Sequence, residues 1–214
     1  MGWTPCRACV NMPSNRHPAW RVRLMGRSGP QVDGHPGVFV QGPGKEVGNR
    51  IIKVNHAGEH GAVNIYAGQI LMARLTAPAM LAQLAEFRSH EQGHRAIFAA
   101  ELRRRGVGRC RSYWLCGAGG FALGVVTGLL GTAAIAATTA AVEAVVLRHL
   151  EQQLSVLEGR DPSAIAVISS IVAEEQQHHD QSLDHIGPGA FWPRLLTPIV
   201  SVSTEAVIWA GMRL

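Results

Sequence analysis

Aromatic side chains make up only 6% of this 214-residue chain and charged ones only 16%. Alanine, leucine and valine are abundant instead, which suits a helical protein with close helix contacts. The length and the 47% apolar content allow one domain with a sizeable core. Acids are the scarcer charge, 15 against 20 bases, and none precedes Asp33, whereas Arg7, Arg16, Arg21, Arg23 and Arg27 do. The resulting charge of +5 fits an anionic membrane surface or nucleic acid equally well and decides between neither. Cysteine is sparse. Cys6-x-x-Cys9 is half a zinc site, and Cys110 and Cys116 lack the spacing of the other half, so reduced thiols in a cytosol-like compartment are the preferred reading. No apolar run follows the first residues, so no secretory signal is expected. The arginine-rich start resembles a transit peptide or a disordered arm. Residues 26–48 are rich in glycine and proline and read as linker, giving an arm over 1–48 and a domain over 49–214.

Charge vanishes altogether over residues 114–142, 29 positions with six glycines. Length alone would allow a membrane span. Gly120, Gly124 and Gly128 at four-residue spacing favour close helix contact instead. The run leads straight into Glu143, and it lies where a helical bundle needs a long connection. An apolar crossover, attached at a membrane interface rather than spanning it, is the expectation. Around it the pattern predicts a helix from near 45 to about 75 and a second after Pro78 to about Gly106, carrying the stripe Leu81, Leu84, Phe87, Glu91, His94, Phe98 and Leu102. A third spans about 132–157. A fourth runs from Asp161-Pro162, an N-cap and N1 pair, to about Ile186. A fifth, amphipathic, covers 191–212.

Spacing carries the chemistry. Glu91 follows Glu59 by 32 residues and His94 follows three later; Glu175 follows Glu143 by 32 and His178 follows three later. Both mid-intervals fall on turn chemistry, at Thr76-Ala77-Pro78 and at Gly159-Arg160-Asp161-Pro162. Two antiparallel helical hairpins, each with a Glu on one arm and Glu-x-x-His on the other, form the ligand set of a carboxylate-bridged di-iron bundle. A lone Glu-x-x-His is a weak signal, because solvated helix faces carry such pairs by chance. Two with matched partners are specific. Four carboxylates and two imidazoles suit iron or manganese, and two ferrous ions in such a site can bind O2 and oxidise something nearby.

Glu143 stands in Ala140-Ala141-Val142-Glu143-Ala144-Val145-Val146, where an unpaired carboxylate would be costly to bury. Two cations explain it better than a membrane-edge glutamate does. Glu59 lies between Gly58 and Gly61, glycines unfavourable to a helix unless something approaches closely. A substrate or oxygen pocket fits, and so does tight helix packing. Glu59 and Glu143 are therefore read as catalytic as well as metal-ligating. His149 and Asp180 are candidates to orient the ligands from behind, Asp180 by accepting from an imidazole N–H. His179 rivals His178 but misses the offset from Glu175. His56, His60, His90 and His185 are read as non-ligands.

Taken together, these residues resemble the demethoxyubiquinone hydroxylases of ubiquinone biosynthesis. The likeness lies in Ile51-Ile52-Lys53-Val54-Asn55-His56-Ala57-Gly58-Glu59-His60-Gly61-Ala62, Ile65-Tyr66-Ala67-Gly68-Gln69, Glu91-Gln92-Gly93-His94 and Phe121-Ala122-Leu123-Gly124. It continues in Ala141-Val142-Glu143, Glu174-Glu175-Gln176-Gln177-His178-His179-Asp180 and Leu183-Asp184-His185. It covers about 49–214. The resemblance implies an all-α ferritin-like four-helix bundle with a long apolar crossover and an extra C-terminal helix. It implies a di-iron monooxygenase that hydroxylates a demethoxyubiquinol ring with O2, with electrons from the quinol or from NADH. Its metal positions would be Glu59, Glu91, His94, Glu143, Glu175 and His178. Implied partners are the polyprenyl quinol, a membrane surface and a lipid-presenting protein of the pathway, with no nucleic acid. The implied location is peripheral, on the cytoplasmic or matrix side of the inner membrane. Two departures concern the surroundings of the site: His60 stands where the family usually has tyrosine, and Leu150 where an aromatic is common. The rival readings are another ferritin-like di-iron enzyme (a tRNA-modifying hydroxylase, a rubrerythrin-like peroxidase or a manganese catalase) and a non-enzymatic iron-binding membrane bundle.

Overall fold

The computed structural model describes residues 43–213, so Cys6, Cys9 and the arginine-rich start lie outside the described residues. The first helix, α1 (Pro43–Thr76), opens on a proline and takes in the last residues of the segment read as linker. Its 34 residues make it about 50 Å long. A single 3-10 turn, Pro78–Met80, reverses the chain into α2 (Leu81–Arg105). The two helices are antiparallel: Ala73 packs near Leu84 at one end and Ile52 near Phe98 and Leu102 at the other. Gly106 ends α2 with φ 67°, the left-handed conformation that glycine adopts without penalty.

The uncharged run is not one helix. It divides at Gly131, φ 87°, into α3 (Tyr113–Leu129) and the start of α4 (Thr132–Leu157). As expected, α3 is a crossover. It runs parallel to α1 and returns the chain by about 25 Å. From Gly120 on, every fourth residue along it is a glycine set against α1. A methyl at Gly120 would strike the carbonyl of Gly61, one at Gly124 the carbonyl of Ile65, and one at Gly128 the Cβ of Met72 at 2.9 Å. On the α1 side, a methyl at Gly68 would meet the Phe121 carbonyl at 2.5 Å. The four-residue glycine spacing is therefore a seam between helix backbones. Among the described residues one helix, α4, is long and apolar enough to cross a membrane by length and composition, but 67% of its apolar window is buried inside the bundle.

Helix α4 runs antiparallel to α1, linked by Tyr66 to Glu143 and by the reciprocal amide pair Asn55 and Gln153, 2.8 and 3.0 Å. The predicted fourth helix starts as expected, with Asp161 accepting from the Ala164 N–H at 3.1 Å. It is interrupted, however, into α5 (Pro162–Ser169) and α6 (Val172–Leu183). The Ser170 hydroxyl donates to the Val167 carbonyl at 2.7 Å, and the N–H groups of Ser170 and Ile171 bond three residues back instead of four. This tightened turn competes with the regular ladder, and it delivers Glu174 and Glu175 in the first turn of α6. The last helix, α7 (Phe191–Gly211), packs on α4 through Val200, Ala141 and Val142. Four arms, α1, α2, α4 and α5–α6, thus form the bundle, with α3 and α7 outside it. The end of α2 is pinned to the start of α5 by Arg105, buried at 2% side-chain exposure, which bonds Asp161 at 2.6 and 2.9 Å and Glu101 at 2.7 Å. Among the described residues both cysteines, Cys110 and Cys116, are free.

Candidate metal centre

Helices α1, α2, α4 and α6 each turn one or two acids or histidines inward at the same level. Glu59, Glu91, His94, Glu143, Glu175 and His178 come together there, none more than 6% exposed. Their ligand atoms form two overlapping groups, each within 4.8 Å: Glu59, Glu91, His94 and Glu175 in one, Glu91, Glu143, Glu175 and His178 in the other. Glu91 and Glu175 belong to both, as bridging carboxylates would. Each residue of the first hairpin has its counterpart 84 positions later, so the site has an approximate two-fold symmetry.

The chemistry of the donors fits a pair of cations. His94 Nδ1 lies 3.0 Å from Glu175 Oε1, and His178 Nδ1 lies 3.2 Å from Glu91 Oε1. Neither pair is aligned as a hydrogen bond, and both imidazole nitrogens, Glu91 Oε1 and both Glu175 oxygens are buried without a hydrogen-bond partner. Buried polar atoms normally have partners; here the lone pairs converge on common points, as ligand atoms do. Burial, then the carboxylates of Glu91 and Glu175, raises Glu59 well above the usual carboxylate range. Burial, then Glu175 and Glu91, does the same to Glu143. Burial pushes Glu91 up, but His178 and His94 bring it down to about 2. Burial also lowers the two imidazoles, yet Glu175 and Glu91 raise His94 to about 10 and His178 to about 9. Four buried carboxyl groups this close together can all ionise only with cations among them.

The outward nitrogens of the two histidines meet different groups. His94 Nε2 is 2.8 Å from Glu174 Oε2, and His178 Nε2 is 3.0 Å from His90 Nδ1. With a cation bound at Nδ1, each Nε2 would carry the remaining proton and donate it. The expectation that Asp180 or His149 serves here is corrected. Asp180 is exposed and bonds Gln176 and His179, at 2.8 and 3.0 Å. His149 turns to Glu205 on α7, 2.7 Å away. A surface helix position offers Asp180 its own neighbours, whereas Glu174 and His90 face the opposite hairpin. His179 is tied to Asp180 outside the cluster. The other histidines read as non-ligands lie elsewhere too: His56 and His60 stack on Tyr113, and His185 bonds Gln83. The Tyr66 hydroxyl donates to Glu143 Oε1 at 3.0 Å.

On the carboxylate side a cavity of about 450 Å³ reaches Glu59, Glu91, Glu143 and Glu175. Its walls are apolar and come from α1, α3, α4 and α7, among them Ile65, Leu123, Val142, Val146 and Val207. Gly58 lines it with no atom within 4 Å of where a methyl would stand, while Gly61 is packed against Cys116. Of the two glycines beside Glu59, one therefore opens the pocket and the other allows close packing.

Residues 46–211 match the family described as Ubiquinone biosynthesis protein COQ7. The chain belongs to the COQ7 family. It is 34% identical over 169 residues to the NADPH-dependent 3-demethoxyubiquinone 3-hydroxylase, mitochondrial, of Mus musculus, covering 77% of each chain. It is 33% identical over 170 residues to the Homo sapiens protein of the same name, covering 78% of this chain and 77% of that one. A bacterial relative, the 3-demethoxyubiquinol 3-hydroxylase of Variovorax paradoxus (strain S110), is 32% identical over 158 residues, 74% of each. The COQ7 match spans all six clustered residues and the whole of α1–α7 apart from the first residues of α1. Sequence reasoning missed Glu174, His90 and Tyr66 as partners of the cluster. The 84-residue offset held a clue, since it maps His90 onto Glu174.

Proposed function

We propose that this protein is a monooxygenase that hydroxylates the ring of a demethoxyubiquinol in ubiquinone biosynthesis. The observation that carries the reading is the two overlapping groups of buried ligands at the inner end of an apolar cavity, together with relatives named as hydroxylases of this substrate. Glu59, Glu91, His94, Glu143, Glu175 and His178 would hold two iron ions. Iron bound there would supply the activation of O2, with one oxygen atom inserted into a ring C–H bond as hydroxyl, the other released as water, and two electrons and two protons drawn from the quinol or from a nicotinamide nucleotide and solvent. Ile65, Leu123, Val142 and Val146 exclude water and hold the ring by apolar contact. The four carboxylates face that space, and the outward imidazole nitrogens are held by Glu174 and His90.

The polyprenyl tail needs an apolar exit. Helices α3 and α7 both wall the cavity, and both expose large apolar side chains: Trp114, Leu115 and Val126 on one, Ile199, Val202 and Trp209 on the other. Those faces support attachment at a lipid surface from which the tail enters. The membrane would be the inner one, on the matrix or cytoplasmic side, as the mitochondrial and bacterial relatives suggest.

The test is a single turnover. Protein loaded anaerobically with Fe(II) receives a short-tailed demethoxyubiquinol and then 18O2. Mass spectrometry is expected to show a product carrying one heavy oxygen, absent with Glu143→Ala. Two bound irons with no oxygen transfer would refute the substrate assignment, and retention of two irons by Glu143→Ala would refute the ligand set.

A further inference from the structure

The two hairpins are related by a constant offset, yet the residues behind the ligands break that relation at two places. Positions 90 and 174 are counterparts, and each sits behind the histidine of the opposite hairpin; one is His90 and the other Glu174. Positions 66 and 150 are counterparts as well; one is Tyr66, which donates to Glu143, and the other is the buried Leu150, which has nothing to donate to Glu59. Both differences act in the same direction. A carboxylate behind an imidazole N–H draws the proton and increases the electron donation of the other nitrogen more than a neutral imidazole does. A phenol donating to a carboxylate withdraws electron density from that ligand, and Glu59 among the described residues receives no such bond.

We infer that the two metal positions are unequal by construction, the one built on Glu59 and His94 binding first and tightest, the one built on Glu143 and His178 second and more labile. This rests on the di-metal reading. Glu174, His90, Tyr66 and Leu150 are positioning residues here, since they act through the ligands. The bridging carboxylates Glu91 and Glu175 are common to both positions and do not distinguish them. Glu174 has 48% of its side chain accessible, while the two ligand imidazoles are both buried, His94 at 3% and His178 at 0%.

The experiment is an anaerobic titration of the full-length, metal-free protein with Fe(II), and in parallel with Co(II). Wild type is expected to bind two ions in two resolved steps. Glu174→Gln keeps size and an acceptor oxygen but loses the charge, and it is expected to weaken the first step about 10- to 100-fold. His90→Gln is expected to alter the second step only. Leu150→Tyr would place a phenol at the position equivalent to Tyr66 and narrow the interval between the steps. Mössbauer spectra after one equivalent of 57Fe are expected to show one dominant species in wild type and a mixture in Glu174→Gln. Two indistinguishable steps in wild type, or equal weakening of both steps by Glu174→Gln, would overturn the inference and leave the di-metal centre standing. Fewer than two ions bound by wild type would overturn the centre itself.

Discussion

Glu143→Gln should stabilise the metal-free protein while destroying what the metal adds. The carboxyl is buried at 2% exposure and is raised above its ordinary range, first by burial and then by Glu175 and Glu91. Gln fits the same space and still accepts from the Tyr66 hydroxyl. In the wild type the native state keeps a proton that the unfolded chain has released above about pH 4.3. The stability tied to that carboxyl is therefore complete below about pH 4.3 and is lost as the pH rises, at up to about 1.4 kcal/mol per pH unit while the native carboxyl remains protonated. The ceiling on the advantage of Gln is about 4.4 kcal/mol at pH 7.5 and about 1.6 kcal/mol at pH 5.5. In a chain of this size each kcal/mol moves Tm by about 2–4 °C, so the lead should shrink on acidification, by no more than roughly 11 °C between those pH values. Thermal melts of both proteins with chelator across pH 5.5–7.5 measure it. Repeating the melts with Fe(II) should raise the wild type and barely move the variant. A metal-free variant that melts below wild type at pH 7.5, or a lead that does not narrow on acidification, would refute the account of Glu143 as a carboxylate held at a cost for the sake of cations.

Two further outcomes are expected. Gly58→Leu should raise Tm, because leucine is favoured over glycine in a helix by up to about 1 kcal/mol and nothing lies within 4 Å of the new Cβ; it should keep two irons yet lose hydroxylation, because the side chain would fill the cavity. Iron analysis beside product analysis separates these effects. Arg105→Met should cost about 3–5 kcal/mol by leaving buried Asp161 without its cation and Glu101 with Arg104 alone. Glu101 is held down to about 2 by Arg104 and, against burial, by Arg105. The stability it contributes is present above the usual carboxylate range and is lost as the pH falls toward 2, so the variant should show a shallower acid limb in denaturant melts.

The ligand set was legible because a helical hairpin imposes arithmetic. Equal arm lengths put Glu59 level with Glu91 and Glu143 level with Glu175, and i, i+3 puts each histidine beside its glutamate. The crossover was legible from the glycine spacing, since a four-residue period has meaning only against another helix. The break at Ser170 was hidden: a serine hydroxyl bonding back to Val167 is one of several options open to that residue, and packing chooses among them. Glu174 and His90 were hidden for a different reason. They reach across to the opposite hairpin, and no spacing within one helix reports that. Asp180 offered a carboxylate that could accept from an imidazole N–H, but it is exposed and bonds its own helix neighbours.

Each of the two candidate ligand groups draws three residues from one hairpin and a single carboxylate from the other, Glu175 or Glu91. During synthesis, Glu59, Glu91 and His94 leave the ribosome together, while Glu175 and His178 follow more than 80 residues later. A nascent chain can thus offer an incomplete cradle but no finished pair. On the proposed di-iron reading, only a chain translated past residue 178 and closed on itself could keep two ions, so metal retention would report that the chain is complete and folded.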